Sequence, residues 1–382
     1  MDTAALLQNA PNNRRKPVKK ENFLLAIGRL DGSRSMGIYG LAIASLFLGV
    51  MAYFMFSNPP VDTIPFLGVV AGLVFCIGVI VFVLARRTNL PVREQRRYYE
   101  LGNVKPLSAK QRQALRLELV ENYYHGFWNQ TLEYYPCKVR VDNPRFKPIT
   151  FSVADKQVYR SSLNDDWGIV SKAQYVSTVN DLFGGMHAKL FAVDLDYVLH
   201  IDDYTSRNMP ADEKENLKKR NDNFLNRLAG LINKPTAYVT SCFEQQGTKP
   251  KPLIWGFDLW RVIPMARNAY MAGYISEEEA WKDLLRAADL VYYLFDSFEA
   301  FYDNYRLGNA YWSNDLETTS RRLQMWELYQ ARCNWPERNL PWRNEGTPDV
   351  PEEMRTGFAA YIKNKNKKYT EPIGFRTNGD HV

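Results

Sequence analysis

Cysteine and histidine are scarce in this chain of 382 residues, which contains four of each. Neither residue forms a Cys-x-x-Cys, His-x-His or His-Glu-x-x-His pattern, so the spacing of a zinc site or a disulfide framework is missing. The sequence therefore predicts a protein of a reducing compartment that binds no metal and no cofactor. The eight residues are Cys76, Cys137, Cys242, Cys333, His125, His187, His200 and His381.

The sequence motifs of several enzyme classes are also absent. The chain contains no Gly-x-Ser-x-Gly nucleophile elbow, no phosphate-binding loop of the Gly-x-x-x-x-Gly-Lys-Ser/Thr type and no Gly-x-Gly-x-x-Gly fingerprint. Each of these motifs would place a nucleophile, or backbone N–H groups, where the chemistry needs them. No catalytic residue is predicted.

Two long stretches lack charged residues altogether. Residues 37–56 (GIYGLAIASLFLGVMAYFMF) and 65–85 (PFLGVVAGLVFCIGVIVFVLA) contain no Asp, Glu, Lys or Arg. A helix of about 20 residues crosses the ~30 Å hydrocarbon core of a bilayer and satisfies its own backbone hydrogen bonds there. A cleaved signal peptide would begin earlier, be shorter and end in a small-residue cleavage pattern. Both stretches are therefore predicted to be transmembrane helices.

The short connection between these stretches predicts a hairpin. Residues 1–36 carry seven basic groups and residues 86–116 carry nine, whereas the connection, residues 57–64, carries only Asp62. By the positive-inside rule, a multi-pass membrane protein with both termini in the cytoplasm is predicted. Small residues in the second stretch would permit close helix approach and hence self-association: Gly68, Gly72 and Gly78.

The formal net charge of +7 belongs to the membrane-proximal part. Residues 1–116 hold 16 basic and 6 acidic groups, whereas the rest of the chain holds 33 and 36. No nucleic-acid partner is therefore predicted, because the larger part of the chain has no basic surplus. The basic side chains after the second stretch are instead predicted to meet the anionic headgroups of the lipid bilayer: Arg86, Arg87, Arg93, Arg96 and Arg97.

After the hairpin, the sequence predicts a mainly helical cytoplasmic domain with at most a small β element. Capping boxes that begin at Ser108, Ser171 and Ser276 mark helix starts. Short β-like runs between residues 134 and 160 are interrupted by prolines. The predicted organisation is a basic tail (1–36), the hairpin (37–85), a juxtamembrane helix with an extended linker (86–159), a helical domain (160–335) and a flexible tail (336–382).

Three segments occur in the order WGIVSKAQ (167–174), WGFDLWRVIPMARNAYMAGYISEEEAW (255–281) and FDSFEAFYDNYRLGNAYW (295–312). Over about residues 160–315 the chain resembles the bacterial family called domain of unknown function 1266. The resemblance implies a bacterial protein, so the predicted hairpin would lie in the inner membrane. It also implies a helical domain and no particular chemistry, and it suggests surface, secretion or interbacterial-conflict settings. Phe298 stands where family members often have tryptophan. The matching positions are Trp167, Gly168, Asp258, Arg261, Gly273, Tyr274, Ile275, Tyr305, Gly308 and Trp312.

Charged and aromatic residues are concentrated in the second of these segments. Asp258 and Arg261 share one face of a predicted helix, and Arg267 lies about two turns further along. Either Asp258 and Arg261 orient each other and tie helix ends together, or the arginines form a pocket that binds an anionic group. The candidate binding residues are Trp255, Asp258, Arg261, Arg267, Tyr274 and Trp281.

The sequence leaves three functions open. The first hypothesis is a membrane-anchored cytoplasmic module that binds a protein partner, linked to secretion or to interbacterial competition as an effector or immunity component. The alternative is an unrecognised membrane-associated hydrolase or transferase with Asp258, Arg261 and Arg267 near its site. A toxin that disrupts membranes through the hairpin is the third.

Overall fold

The computed structural model describes residues 32–57, 63–88, 90–125, 127, 129, 131–134, 136–147, 153–205, 209–333, 335–343 and 348–366. Most of the predicted N-terminal tail, the centre of the hairpin connection and residues 367–382 lie outside this part of the chain. The side chains of Arg86 and Arg87 also lie outside it.

The described residues are helical and contain no strand, which confirms the predicted fold class. One isolated parallel bridge, between Cys137 and Ala154, is the β feature of the described linker. The helices of the hairpin and juxtamembrane region are α1 (Gly32–Ser57), α2 (Thr63–Thr88), α3 (Leu90–Leu101), α4 (Ala109–Arg116) and α5 (Leu119–His125). Those that follow are α6 (Lys156–Trp167), α7 (Lys172–Phe183), α8 (Ala188–Leu199), α9 (Ile201–Tyr204), α10 (Ala211–Ile232), α11 (Thr236–Ser241), α12 (Trp255–Met271), α13 (Glu277–Leu294), α14 (Phe298–Ser313), α15 (Leu316–Arg332), a 3-10 turn (Pro336–Asn339), α16 (Glu352–Thr356) and α17 (Ala359–Asn366).

Helices α1 and α2 pack along each other and expose apolar side chains on their outer faces. Their segments Tyr39–Ser57 and Thr63–Ala85 are long and apolar enough to cross a membrane. Phe47 is 65% exposed and Phe75 is 69% exposed. Exposing this much apolar surface is unfavourable in water but not in the hydrocarbon core of a bilayer. Gly72 packs inside the hairpin, where a Cβ would lie 3.4 Å from Leu48 Cδ1, whereas Gly68 and Gly78 face open space.

Helix α12 runs through the middle of the helical domain and packs against α6, α7, α13 and α14. Because neighbours cover nearly every side of it, the helix is apolar over most of its surface and buries Trp255, Val262 and Ala269 completely. The helix continues through Pro264. Two charged residues of α12, Asp258 and Arg267, are fully buried and therefore find their partners inside the domain.

Capping residues define several helix ends, as the sequence indicates. Ser108 and Ser276 form complete capping boxes with Gln111 and Glu279. Ser171 caps α7 in a different way, because the Gln174 side chain accepts from the backbone N–H of Val170 rather than from that of Ser171. Gly168 ends α6 at φ 64°, a left-handed conformation that favours glycine.

Helix α3 packs away from the main core in a separate group of side chains. This group, called the juxtamembrane cluster below, consists of Tyr98, Tyr99, Val104, Val141 and Phe146. It joins the helix that directly follows α2 to part of the predicted extended linker. The membrane hairpin is thereby followed by a folded element before the main core begins.

Helix α4 ends at Arg116, and the chain turns at Leu117 and Glu118 before α5 begins, so two helices follow Ser108. Helix α14 continues through Gly308 to Ser313. Part of the segment predicted to be a flexible tail, within residues 336–343 and 348–366, packs against the domain. Four side chains of that segment belong to the main core and cover the start of α12: Val350, Met354, Phe358 and Ile362.

Candidate functional site

Asp258 is fully buried and lies in the first turn of α12. Its carboxylate accepts hydrogen bonds from the backbone N–H groups of His187, at 3.1 Å, and Ala188, at 2.9 Å. These groups are at the start of α8, where no local side chain caps the helix. A carboxylate on a neighbouring helix thus satisfies the N-terminal N–H groups of α8 and complements the positive end of its dipole.

The imidazole of His187 lies between Asp258 and Arg261. Its Nδ1 is 2.5 Å from Asp258 Oδ1, and its Nε2 is 3.1 Å from Arg261 Nη1. Because a guanidinium can only donate, Nε2 accepts and the ring proton lies on Nδ1, which donates to the carboxylate. Asp258 and Arg261 are therefore linked through a neutral imidazole rather than paired with each other as the sequence suggested.

Aromatic rings surround the guanidinium of Arg261. Its central carbon is 4.4 Å from the ring centroid of Trp167, 4.5 Å from that of Phe257 and 5.9 Å from that of Trp312. Burial lowers the pKa of Arg261, and the negative charge of Asp258 opposes this shift. These distances allow cation–π attraction on several sides of the guanidinium.

Part of this arrangement reaches the protein surface. Arg261 and Trp167 are half-buried, and Trp312 is 38% exposed. The ring of Trp312 also stands edge-on to His187, with centroids 4.5 Å apart. These three residues form a mixed aromatic and cationic patch, called the Trp167–Arg261–Trp312 surface below.

Arg267 belongs to a different cluster, so the single pocket predicted for both arginines does not form. Its Nη1 donates to Glu118 Oε2 at 2.8 Å, and its Nε donates to the backbone carbonyl of Leu132 at 2.7 Å. The guanidinium lies 3.8 Å from the ring of Tyr134, whose hydroxyl donates to Glu118. Burial raises the pKa of Glu118, and Arg267 acts in the opposite direction. The buried ion pair ties α12 to the turn between α4 and α5, and the hydrogen bond to Leu132 ties it to the segment after α5.

The other three predicted binding residues are parts of the core rather than of this surface. Trp255 is fully buried and stacks on Phe358, and Trp281 is 7% exposed. Tyr274 is half-buried beneath the guanidinium of Arg160, which is 5.4 Å from its ring. Of the six candidates, only Asp258 and Arg261 share one site.

Residues 162–343 match the sequence model of a family described as "Protein of unknown function (DUF1266)". We call these residues the DUF1266 domain below, after the family whose model they match. The matched range contains Trp167, His187, Asp258, Arg261 and Trp312, the residues that link the carboxylate to the surface. Glu118 and Phe358 lie outside it, so parts of the chain beyond the DUF1266 domain complete its core.

One relative covers most of the chain. Over 295 residues, the chain is 28% identical to a protein of Escherichia coli (strain K12) named "Inner membrane protein YnjI". The alignment covers 72% of this chain and 78% of that protein, so it extends well beyond the DUF1266 domain. No solved structure matches the chain.

Sequence reasoning missed His187, the residue that joins the two members of the site. The histidine belongs to no recognised motif, so the sequence predicts no role for it. It follows the turn between α7 and α8, where Gly185 has φ 75°. Its distance from Asp258 along the chain leaves no local signal that could have revealed their contact.

A separate cleft of about 410 Å³ lies between α5 and the first turns of the DUF1266 domain's helix α15. Glu121 forms an ion pair with Arg322 there, and burial lowers the pKa of Arg322 to about 10. Acidic and basic side chains nearly balance in its lining, so its charge selects no class of ligand. Within the described residues, no group of His, Cys, Asp and Glu has the arrangement of a metal site.

The predicted lipid-facing arginines are placed in part. Arg93, Arg96 and Arg97 are exposed on α3, directly after the second apolar helix. Arg86 and Arg87 belong to the last turns of α2. The described members of this set thus lie outside the apolar stretch of α2 and in contact with solvent.

Proposed function

We propose that the chain is anchored in the bacterial inner membrane by α1 and α2 with both termini in the cytoplasm, and that its DUF1266 domain binds a partner protein. The anchoring is supported by two apolar helices with exposed outer faces and by basic residues on both flanks of the hairpin. The relative named as an inner membrane protein supports the same location.

The binding proposal rests on the hydrogen-bond donors and aromatic neighbours of Arg261. One edge of its guanidinium donates to His187, while its Nε and Nη2 make no hydrogen bond with any described residue. Two indoles flank it at a half-buried position. Arginine and tryptophan are the residues that most often contribute strongly to protein interfaces.

This chemistry defines the partner. A carboxylate pairs with a guanidinium through two parallel hydrogen bonds, and indole rings bury apolar side chains. The Trp167–Arg261–Trp312 surface therefore suits a protein segment that presents Asp or Glu next to an apolar side chain. Leu316, which follows Trp312 by four residues and is 69% exposed, adds apolar area nearby.

The alternative of a hydrolase or transferase has less support. A general base needs one imidazole nitrogen free to accept a proton from a nucleophile. In His187, Nδ1 is engaged by Asp258 and Nε2 by Arg261. The linkage to secretion or interbacterial competition stays a prediction that rests on the family resemblance alone.

Site-specific photo-cross-linking in intact cells tests the binding proposal. A photoreactive amino acid replaces Leu316 in the full-length protein, and the cross-linked product is isolated and identified. We expect Arg261→Ala to reduce the yield of this product by at least about tenfold, since a central interface arginine contributes about 2 kcal/mol or more. The melting temperature should fall only slightly, because Arg261 is half-buried and water can take its place once the side chain is removed.

The matched control is Arg286→Ala. Arg286 also lies over an aromatic ring, 4.1 Å from the centroid of Phe183, but it is outside the proposed surface. This variant should keep the full cross-linking yield. Equal yields in the two variants would contradict the proposal, and a large fall in melting temperature confined to Arg261→Ala would assign Arg261 to folding instead.

Reporter fusions at the C-terminus test the topology. A fluorescent protein that matures only in the cytoplasm should be bright when fused after Val382, and alkaline phosphatase, which needs the periplasm, should be inactive there. The opposite pattern would place the DUF1266 domain outside the cytoplasm. If a salt wash extracts the protein from membranes, the proposed membrane anchoring is wrong.

A further inference from the structure

The juxtamembrane cluster brings a loop of the linker onto α3. The rings of Tyr98 and Phe146 stack with centroids 6.0 Å apart, and Arg97 Nη2 is 3.5 Å from the carbonyl oxygen of Arg145. A turn at Asn143 shapes the loop, because its side chain accepts from the Arg145 N–H and its carbonyl accepts from the Phe146 N–H, both at 2.9 Å. Residues 141–147 are therefore held against the helix that follows the second span.

This packing turns basic side chains of three segments toward solvent. Phe146 is buried, so its neighbours Arg145 and Lys147 point away from the cluster and are exposed. Two acidic residues of the same segments are exposed, Glu100 and Asp142, whereas Glu94 is buried. The exposed basic residues are Arg93, Arg96, Arg97, Lys105, Arg145 and Lys147, which we call the basic collar.

The position of the basic collar along the chain restricts what it can meet. Helix α2 ends at Thr88 and α3 begins at Leu90, so the first turn of α3 lies close to the end of the apolar helix. Basic residues at that position are attracted by anionic lipid within a Debye length of the membrane surface, about 8 Å at physiological salt. Among the side chains that the structure describes in these segments, Leu101 is the one large apolar residue that is exposed. A protein-binding surface would present more apolar area.

We infer that α3 and the loop of residues 141–147 form a second membrane contact, in which the basic collar binds the anionic phospholipid headgroups of the bilayer that α1 and α2 span. This inference rests on the proposed membrane anchoring. It adds residues that folding brings beside α3 to the basic residues that directly follow the second span. Arg145 and Lys147 are its distinguishing members, because they lie far from the spans in sequence.

The contact would be linked to the orientation of the DUF1266 domain. Gly102 at the end of α3 lies against Arg140, where a Cβ would be 2.8 Å from the arginine Cδ. Arg140 forms ion pairs with the buried Glu133 and with Glu277, whose Oε2 is 3.0 Å from Arg140 Nη2. Glu277 begins α13, so one arginine joins the juxtamembrane cluster to a helix that packs directly on α12.

Hydrogen exchange of the full-length protein in nanodiscs tests the inference. Discs of phosphatidylcholine alone are compared with discs that also contain phosphatidylglycerol. We expect the backbone amides of residues 141–147 to exchange at least about threefold more slowly in the anionic discs. This protection should disappear at about 0.5 M salt, where screening is strong.

Variants identify the side chains responsible. Arg145→Gln with Lys147→Gln should abolish the lipid-dependent protection, whereas Lys219→Gln with Lys282→Gln, which removes two exposed lysines elsewhere, should keep it. Equal exchange in both disc types, or equal loss in both double variants, would overturn the inference. Protection in phosphatidylcholine discs on addition of inorganic phosphate would also overturn it, by assigning the surface to a free anion.

Insertion into the discs separates this inference from the anchoring. If the protein inserts and residues 141–147 exchange equally in both lipids, only the second membrane contact is wrong. If the protein fails to insert, the proposed anchoring is wrong as well.

Discussion

The ring of Phe358 stacks on the indole of Trp255, with centroids 5.5 Å apart and planes inclined by 15°. Gly185 lies beneath both rings, since a Cβ there would be 2.4 Å from Phe358 Cζ and 2.7 Å from Trp255 Cη2. The C-terminal segment, the start of α12 and the turn before α8 thus meet at one point. His187 follows Gly185 by two residues, so this packing also helps to position the histidine of the candidate site.

Phe358→Ala should lower the free energy of unfolding by about 3 kcal/mol or more, because it empties the space against Trp255 in a buried position. Thermal or urea unfolding of the full-length protein in detergent measures the effect. Leu316→Ala removes an apolar side chain that is 69% exposed and should change stability by less than about 0.5 kcal/mol. Similar effects of the two substitutions would mean that residues 348–366 do not cover the core.

Gly308→Ala should destabilise the contact between α12 and α14. A Cβ at Gly308 would lie 2.2 Å from the Cβ of Phe257, so the two helices must move apart, at a cost of about 1 to 3 kcal/mol. Gly230→Ala is the matched control, because a Cβ there meets nothing within 4 Å on the exposed face of α10. The control should gain up to about 1 kcal/mol from helix propensity. A neutral result at Gly308 would contradict the close helix approach.

Arg267→Met should destabilise the protein by about 3 to 5 kcal/mol, because it leaves the carboxyl of Glu118 buried without its cationic partner. Adding Glu118→Gln should restore much of the loss. The pKa of Glu118 is raised by burial, and loss of Arg267 raises it further. A carboxyl group whose pKa is higher in the folded than in the unfolded protein lowers the free energy of unfolding as the pH rises above its unfolded pKa. The single variant should therefore be less stable at pH 8 than at pH 5.

Unfolding measured at both pH values checks this prediction. The double variant should show little of the added pH dependence, since its residue 118 no longer titrates. A single variant whose stability loss is the same at both pH values would contradict the buried carboxyl–guanidinium contact.

Glu279→Gln should make the stability of the protein less dependent on pH under acidic conditions. Hydrogen bonds from Lys172 and from the backbone N–H of Ser276 lower the pKa of Glu279 to about 2. A group with a lowered folded pKa contributes stability that is present above its unfolded pKa, about 4.3, and is lost as the pH falls toward 2. Melting temperatures between pH 5 and pH 2 should therefore fall less steeply in the variant than in the unaltered protein. Equal slopes in the two proteins would contradict the contact between Glu279 and Lys172.

Asp258→Asn should cost about 2 to 3 kcal/mol, because the buried carboxylate accepts from two backbone N–H groups and from His187 Nδ1. An amide has one oxygen for three donors, and it carries no charge to complement the start of α8. Asp181→Asn, at an exposed position on α7, is the control and should be nearly neutral. Loss of cross-linking at Leu316 in the Asp258 variant would further show that His187 keeps Arg261 in its binding position.

The amino-acid order alone predicts the elements whose physical cause is local. The hairpin follows from two uncharged stretches of membrane-spanning length, and the starts of α4 and α13 follow from capping boxes of four consecutive residues. The aspartate and arginine of the candidate site are three residues apart, so helical geometry is sufficient to place them on one face. Whether Arg267 shares a pocket with them was left open by the sequence, because spacing along α12 does not say which neighbouring segment each side chain meets. In the structure Arg261 contacts His187 and Arg267 contacts Glu118.

Local spacing and hydropathy thus determine that this protein has an apolar hairpin followed by a helical domain, because helix formation and membrane insertion depend on residues close in the chain. Only the tertiary structure shows that His187 joins Asp258 to Arg261, that Phe358 covers Trp255 and that Arg145 and Lys147 stand beside α3. These contacts bring together segments far apart in sequence. They arise from the packing of whole helices, and no short pattern encodes which pairs meet.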